Sequence, residues 1–409
     1  MKVDTMRRID YYVGVPLCIL GSVLQGFVRI IFRASKKTPR RILFIELSEM
    51  GSAILVDPAM RKVRKETGGE IYFAIFKKNK PSLQLLQTVP DDHIYTIAED
   101  SMKAFVFDTL KFFIWTRRRK IDTVIDLELF SRFTALLTGF SGACFRVGFH
   151  AFFNEGLYRG HFLTHKVSYN PHIHIASNFI ALVNALIAVK EEVPYSKMLV
   201  TPEELFLEKA TVLPEQKGII EILIRDCYAG FDPGKHKIIL INPNASELLI
   251  QRRWPPEYYV QLIKMILDQT PGALVLITGD PRERDEAQGI KERVGHERCV
   301  NFAGKVTFNQ LPHLYSVCEF MVTNDSGPGH FAAVTDMHTF VIFGPETPAL
   351  YGSLGKTTPI YAGLACSPCV SAANHRKTAC RDNVCLQVIK PQQVFMAIEP
   401  FLEKMNAQK

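Results

Sequence analysis

The residue pattern predicts an α/β chain made of two doubly wound parallel sheets in tandem. Three observations carry this. Short apolar runs bounded by turn residues alternate with longer stretches of helical spacing. The alternation occurs twice, over 41–149 and again over 237–344, with a proline-bounded passage at 194–202 between them. The chain has 409 residues, more than one ordinary domain holds. The predicted organisation is a membrane-associating segment at 1–38, a first sheet domain at 39–195, a second at 196–390 and a terminal helix at 391–409.

The first alternation begins with the apolar run Arg41–Leu47, a buried strand, and the turn Ser48-Glu49-Met50-Gly51-Ser52. Helical spacing follows over Ala53–Lys65. Glu70–Phe76 is a strand, Ser82–Val89 a helix and His93–Ile97 a short strand. Lys103–Arg118 is a long helix with apolar and basic faces. Thr123–Leu129 is a strand, a helix starts near Ser131, and Cys144–Phe149 closes the pattern. The stretch Phe152–Tyr169 is aromatic and irregular, and a helix runs on to Leu186. Glu203 to about Cys227 reads as helical.

The second alternation runs from the strand Lys237–Asn242 through the helix Glu257–Asp268, the strand Ala273–Gly279 and the helix Arg282–Val294. Val300–Ala303 is a short strand, and Phe308–Val317 a helix. The buried strand Phe320–Thr323 then leads into Asn324-Asp-Ser-Gly-Pro-Gly-His330, and Phe331–Val334 can continue as a helix. His338–Gly344 ends the sheet, and Gln392–Lys404 is helical. Strands alternating with helices in this way imply parallel pairing.

Charge separates the partners. The net charge is +8, and much of it lies in the first 41 residues. The remainder is close to balanced, which argues against a surface that coats nucleic acid. The basic excess suits an anionic membrane surface better. Between the basic flanks, residues 11–32 are largely apolar, with Pro16, Gln25 and Arg29 as interruptions. They can lie in the interface, span the bilayer or pack on the body; basic flanks on both sides favour lying on the cytoplasmic face. Of the 9 cysteines, Cys366, Cys369, Cys380 and Cys385 cluster. They can hold a metal ion, form disulfides or stay free thiols in a compact loop.

The candidate site residues follow strand ends. Asp325, Ser326 and Gly327 sit where a strand hands over to a helix start, whose free N–H groups favour a phosphate. His330 adds a titratable group, and the alternative is a plain capped turn. Arg252 and Arg253, after the loop Asn242–Ser246, can clamp phosphate oxygens or form a solvated basic pair. Glu283, after Gly279-Asp280, can accept from ribose hydroxyls or simply start its helix. Gly344-Pro345-Glu346-Thr347 is a further strand-end loop. Neither the Walker loop nor the dinucleotide glycine fingerprint is present in its expected place.

Met50-Gly51, Pro58-Ala59, Arg252-Arg253-Trp254-Pro255, Asp325-Ser326-Gly327 with His330, Phe343-Gly344-Pro345 and Cys366-Ser367-Pro368-Cys369 together resemble glycosyltransferase family 9, the ADP-heptose:lipopolysaccharide heptosyltransferases. The resemblance runs from about Arg40 to the C-terminus. It implies the GT-B architecture of two facing Rossmann-like domains. It further implies inverting sugar transfer, without a required metal or cofactor, from a nucleotide-sugar (ADP-heptose) to a lipid-linked saccharide at the cytoplasmic face of the bacterial inner membrane. Under it Arg252 contacts the donor diphosphate, Asp325, Ser326, Gly327 and His330 surround it, and Glu283 meets the ribose. The family's usual general base is an Asp directly after Gly51, where this chain has Ser52. A lone hydroxyl is too weak a base, so Glu49 is the expected replacement, with Asp57 a weaker candidate. The alternative to catalysis is a binding protein for a nucleotide-sugar or glycan on the same fold; a third reading is a nucleotide-sugar epimerase.

Overall fold

The computed structural model describes residues 3–31, 38–47, 50–152, 158–190, 192–194, 196–245, 247–371, 374 and 376–407. The chain divides into two compact units, Met1–Phe206 and Leu207–Lys409.

Unit 1 opens with helices α1 (Val3–Tyr12) and α2 (Gly14–Ile31). Its sheet contains β1 (Arg41–Ile45), β2 (Glu70–Phe76), β3 (Ile94–Ile97), β4 (Thr123–Asp126), β5 (Phe145–Phe149) and β6 (His165–Val167), in the order β3-β2-β1-β4-β5-β6. The pairings are parallel, with Leu43 of β1 opposite Tyr72 of β2 and Val124 of β4. The helices are α3 (Met50–Leu55), α4 (Asp57–Thr67), α5 (Pro81–Gln84), α6 (Met102–Arg118), α7 (Arg132–Phe140) and α8 (Ile175–Ile187). Central strands are apolar throughout because both faces are covered; Ile42, Leu43, Phe44 and Ile45 are all fully buried.

The helix expected over Ala53–Lys65 starts earlier and is two helices, divided at Val56 just ahead of Pro58. Proline is favoured at a first helical turn and poorly tolerated in an interior. The stretch expected to be irregular after Phe152 contains β6, a three-residue edge strand too short to show an alternating pattern. Asp57, the weaker base candidate, is fully buried, its carboxylate held by Arg61 Nε at 2.9 Å and by the Thr88 hydroxyl. It fixes the start of α4 to its surroundings.

The pair α1–α2 is seated on α7 by one face. A Cβ on Gly14 would come within 2.7 Å of Arg132 Cβ, so only glycine allows that approach. Cys18 is buried, Ser22 Oγ accepts from the His161 N–H at 2.8 Å, and Gln25 donates to the Gly139 carbonyl. Asp10 accepts from the Phe133 N–H at 2.9 Å. The opposite face bares Tyr12, Leu20, Val23, Leu24 and Phe27. Thr5–Phe27 is long and apolar enough to cross a membrane by length and composition.

Unit 2 has the same strand order. It contains β7 (Lys237–Asn242), β8 (Ala273–Ile277), β9 (Cys299–Asn301), β10 (Cys318–Asn324), β11 (His338–Phe343) and β12 (Thr357–Tyr361), ordered β12-β11-β10-β7-β8-β9 and parallel. Its helices are α9 (Pro214–Cys227), α10 (Pro256–Gln269), α11 (Arg284–Val294), α12 (Leu311–Tyr315), α13 (Gly327–Phe331), α14 (Pro348–Tyr351), α15 (Val384–Gln387) and α16 (Pro391–Ala407). Ile239, Val275, Phe320 and Phe340 of the sheet pack with Ile263 of α10 and Phe395 of α16.

Three expectations change here. The sheet does not end at β11: β12 adds an edge strand that the sequence hides, because Thr357, Thr358 and Pro359 carry no apolar signature and proline is tolerated at an edge. The helix expected from Glu203 is a single 3-10 turn, Pro202–Leu205, followed only at Pro214 by α9. Phe331–Val334 does not extend a long helix; α13 has five residues and passes into a 3-10 turn, Ala332–Val334. The dipole behind Asp325 is correspondingly small.

In each sheet the chain changes direction between its two central strands, β1 and β4 in unit 1 and β7 and β10 in unit 2. Loops leaving such a pair diverge and open a crevice at the strands' carboxyl ends, where open α/β sheets receive ligands.

Candidate functional site

At the switch point of unit 2, Asn324 organises the loops. It is the last residue of β10 and fully buried. Its Oδ1 accepts from the Trp254 N–H and the Tyr259 hydroxyl, both at 3.0 Å, and its Nδ2 donates to the Pro243 carbonyl at 2.7 Å. The Trp254 indole N–H donates to the Ile389 carbonyl at 2.8 Å. The loop after β7 and the Arg-Trp-Pro stretch are thereby tied to the end of β10, which sets Arg252 beside Asp325.

Arg252 forms one cluster with the buried Asp325 and Glu346. Arg252 Nε lies 3.8 Å from Asp325 Oδ2, and its terminal nitrogen donates to Glu346 Oε1 at 3.2 Å. Arg376 Nε approaches the same Glu346 oxygen at 3.5 Å, and its guanidinium lies 4.8 Å from the Tyr351 ring centroid. Asp325 and Glu346 are 3% and 2% exposed. Burial pushes the Glu346 carboxyl up to about 8, with Arg252 opposing and the Asp325 charge adding to the rise. Burial raises Asp325 as well, against Arg252. Two carboxyls in hydrogen-bond contact titrate as a pair, and this pair keeps one proton near neutral pH. Burial works against the Arg252 charge, but Glu346 and Asp325 outweigh it and hold its pKa above the ordinary value. With one carboxyl neutral, two guanidiniums face one negative charge. The cluster carries a net positive charge suited to a diphosphate.

The other candidates are distributed around this cluster. Arg253 turns away: it donates to the Ala245 carbonyl at 3.0 Å and pairs with Glu286 at 3.3 Å, so it shapes the loop after β7. Ser326 donates to the Asn324 carbonyl at 3.2 Å. Gly327 has no room for a side chain, since a Cβ would meet the Phe331 ring at 2.8 Å. His330 is half-buried on α13. Glu283 accepts from the Asp280 N–H at 2.6 Å in a capping box, and burial raises its carboxyl. A Cβ on Gly279 would lie 2.8 Å from Glu283 Oε2 and 3.0 Å from Asn244 Nδ2, so these three meet at the end of β8. Asn244 is 3% exposed, and neither polar atom of its side chain has a hydrogen-bond partner among the described residues. A buried amide left so is placed to meet a ligand.

The cysteine segment borders this loop system. Gln251 donates to the Cys380 carbonyl at 3.0 Å, and Asn383 to the Arg253 carbonyl at 3.1 Å. Cys366, Cys369, Cys380 and Cys385 are free thiols, and the other three raise the pKa of Cys385 further, after burial. Among the described residues no three His, Cys, Asp or Glu side chains converge as a metal-holding group.

In unit 1, Glu49 lies outside the described residues. Gly51 and Ser52 are in the first turn of α3, with Ser52 buried. Just beyond β1, Glu128 Oε1 accepts from the Leu47 N–H at 3.2 Å. A cavity of about 220 Å³ opens at the ends of β4 and β5, lined by Asp126, Phe149, His150, Tyr158, Arg159 and His161, among others. Asp126 and Arg159 form a buried ion pair in its wall. Burial lowers His150 to about 4, so its imidazole is neutral at physiological pH.

Residues 111–379 match the model of glycosyltransferase family 9 (heptosyltransferase), more than half of the chain. The chain belongs to that family. Lipooligosaccharide heptosyltransferase 2 of Haemophilus influenzae is 33% identical over 118 residues, 28% of this chain. The chain spans 33% of the length of that relative. The solved ADP-heptose heptosyltransferase II of E. coli superposes over 90% of this chain and 99% of its own, with a TM-score of 0.66 and 20% identity. E. coli heptosyltransferase WaaC, solved with ADP-2-deoxy-2-fluoro heptose, covers 88% of this chain and 99% of its own at a TM-score of 0.58 and 14% identity. The fold of this family 9 chain is therefore GT-B, as expected.

Arg252 and Asp325 were visible in the sequence because each follows an apolar strand. Asn324 carried the same signal, a polar residue closing a buried run. Arg376 carried none, since it comes from an aperiodic loop.

Proposed function

We propose that this family 9 chain transfers a heptose from ADP-heptose to a lipid-linked saccharide such as the lipopolysaccharide core, inverting the anomeric carbon, at the cytoplasmic face of the inner membrane. The observation that carries the reading is Arg252, half-buried and held against the buried Asp325 and Glu346 at the switch point of unit 2. As the bond to the sugar breaks, negative charge grows on the departing diphosphate. A preorganised guanidinium in a low-dielectric site stabilises that charge without reorganising. Arg252 does this, with Arg376 beside the same carboxyl, so the proposal calls for no metal ion. Asn244 and Glu283 meet the nucleoside side of the donor. The saccharide acceptor enters unit 1, where the aromatic and imidazole wall of the cavity suits sugar rings. Glu49 takes the acceptor's proton from the face opposite the leaving group. The heptose and ADP assignment is supported by the family and by the relative solved with an ADP-heptose analogue. The bare face of α1–α2 supports membrane residence.

The test is transfer of radiolabelled heptose from ADP-heptose to a lipid-linked core acceptor, with and without a chelator. Arg252→Ala lowers turnover by roughly 10²- to 10³-fold while the fold survives. Full activity in that variant removes Arg252 from the reaction, and full activity of Glu49→Gln removes Glu49. Donor binding with no transfer to any lipid acceptor points instead to a binding protein, a reading favoured by Ser52 at the family's base position.

A further inference from the structure

Helix α6 has a face that none of the described residues of unit 1 covers. Its inward side chains are packed: Phe112 and Thr116 are buried, and the Phe105 ring lies tilted against Phe133 of α7, 4.6 Å between centroids. Asp108, the helix's one acid, accepts from the Ala98 N–H at 2.9 Å. The outward positions recur three or four residues apart and therefore form a single stripe along the helix. On that stripe Val106, Phe107, Leu110 and Ile114 are 49–59% exposed. Lys103, Lys111 and Arg118, all exposed, are interspersed with them. The outer face of a helix resting on a soluble body is ordinarily polar. Here it is apolar and basic, with no acid on it.

The neighbouring elements bare apolar side chains as well. Helix α7 supports α6 through Phe133 and supports α1–α2 through Arg132 and Gly139. Met6 of α1 packs in the same cluster as Phe105 and Phe133. Two helical elements with bare apolar faces thus flank one helix. Lys111 Nζ lies 4.1 Å from the Phe107 ring centroid, its stem running along the apolar row and its charge at the row's edge, as a lysine lies at a lipid headgroup boundary. The cores of protein interfaces are depleted in lysine, whereas lysines and an arginine around an exposed apolar row complement anionic headgroups.

We propose that the outward stripe of α6 rests on anionic phospholipid and forms a second membrane contact beside α1–α2. This rests on the membrane residence proposed above. The apolar row enters the headgroup boundary, and Lys103, Lys111 and Arg118 meet the phosphates around it.

The experiment uses the full chain with two kinds of vesicle, phosphatidylcholine alone and phosphatidylcholine with 30% phosphatidylglycerol as the order of the anionic fraction, about that of a moderately charged leaflet. Co-sedimentation measures binding, and amide hydrogen exchange reads residues 102–118. The expected result is binding that favours the anionic vesicles, with exchange slowed in α6. Lys103→Gln with Lys111→Gln weakens the partition by roughly 25-fold, about fivefold per lysine, and Leu110→Ser weakens it further. All three positions are exposed, so the variants keep the fold. Binding with unchanged exchange in α6 and wild-type partition of the variants overturns the α6 contact but leaves residence through α1–α2. Absence of binding to either vesicle overturns both. Equal binding to the two vesicles overturns the anionic assignment. Slowed exchange in α6 that grows with protein concentration without vesicles shows a second copy of the chain to be the partner and overturns the proposal.

Discussion

Glu346→Gln tests the buried charge cluster most directly. In the folded chain the Glu346 carboxyl keeps its proton up to about pH 8, against an ordinary value of 4.5, because it is buried and faces Asp325. The unfolded chain releases that proton near the ordinary value. Between the two values the folded state binds more protons, so stability is fully present below 4.5 and is lost as pH rises through about 8. At about 1.4 kcal/mol per pH unit, the loss over that window is roughly 5 kcal/mol. The glutamine amide retains a donor for Asp325 and an acceptor for Arg252, but it cannot ionise. Wild type and variant therefore match near pH 5, and the variant is more stable by a few kcal/mol at pH 8.5. Urea unfolding followed by tryptophan fluorescence measures this, and the difference between the two proteins cancels the titrating groups outside the Asp325–Glu346 pair. Parallel stability curves over the whole range would show that Glu346 is not the proton holder. They would also remove the argument for net positive charge around Arg252.

Asn324→Ala removes the acceptor shared by Trp254 and Tyr259 and the donor to Pro243. With buried partners left unpaired at about 1–3 kcal/mol each, it should destabilise unit 2 by roughly 3–5 kcal/mol. Calorimetric titration with ADP should show weakened binding in the same protein, because Arg252 loses its placement. Asp126→Ala leaves the Arg159 guanidinium buried beside the unit 1 cavity; the expected cost is about 3–5 kcal/mol by thermal or urea unfolding. Gly279→Val puts methyl groups against Glu283 and Asn244. Nucleotide affinity should fall at least about tenfold, a change of about 1.4 kcal/mol, and the nucleotide-free protein should unfold more readily, because Glu283 must shift from its capping position to admit the side chain.

The strands buried on both faces could be read directly, because an apolar run as short as Ile239–Ile241, bounded by a turn and alternating with helical stretches, fits a buried strand. The edges could not. β6 has three residues, and β12 begins with two threonines and a proline, so neither carries the continuous apolar signature of a central strand. The turn after β10 was legible as a site, but its helix was overestimated: Ala332, Ala333 and Val334 suit a helix by composition, while the 3-10 turn they form is ended by Thr335 in an extended conformation. Arg252 and Asp325 were found singly, each from its own strand end. Their contact was not, since it depends on Asn324 joining segments far apart in sequence. Arg376 was invisible for the same reason, because only the folded loop brings it to Glu346.

The bonds of Asn324 also constrain how this architecture can be re-engineered. One side chain fixes the loop at 243–245, the tryptophan at 254 and the tyrosine at 259, so a graft that exchanges the loop alone strands the amide, and one that exchanges the asparagine alone releases both aromatic residues. Chimeras intended to change nucleotide preference should carry 242–259 and 324 as a single cassette, with crossover points inside β7 and α10, where backbone geometry is regular and joints are tolerated.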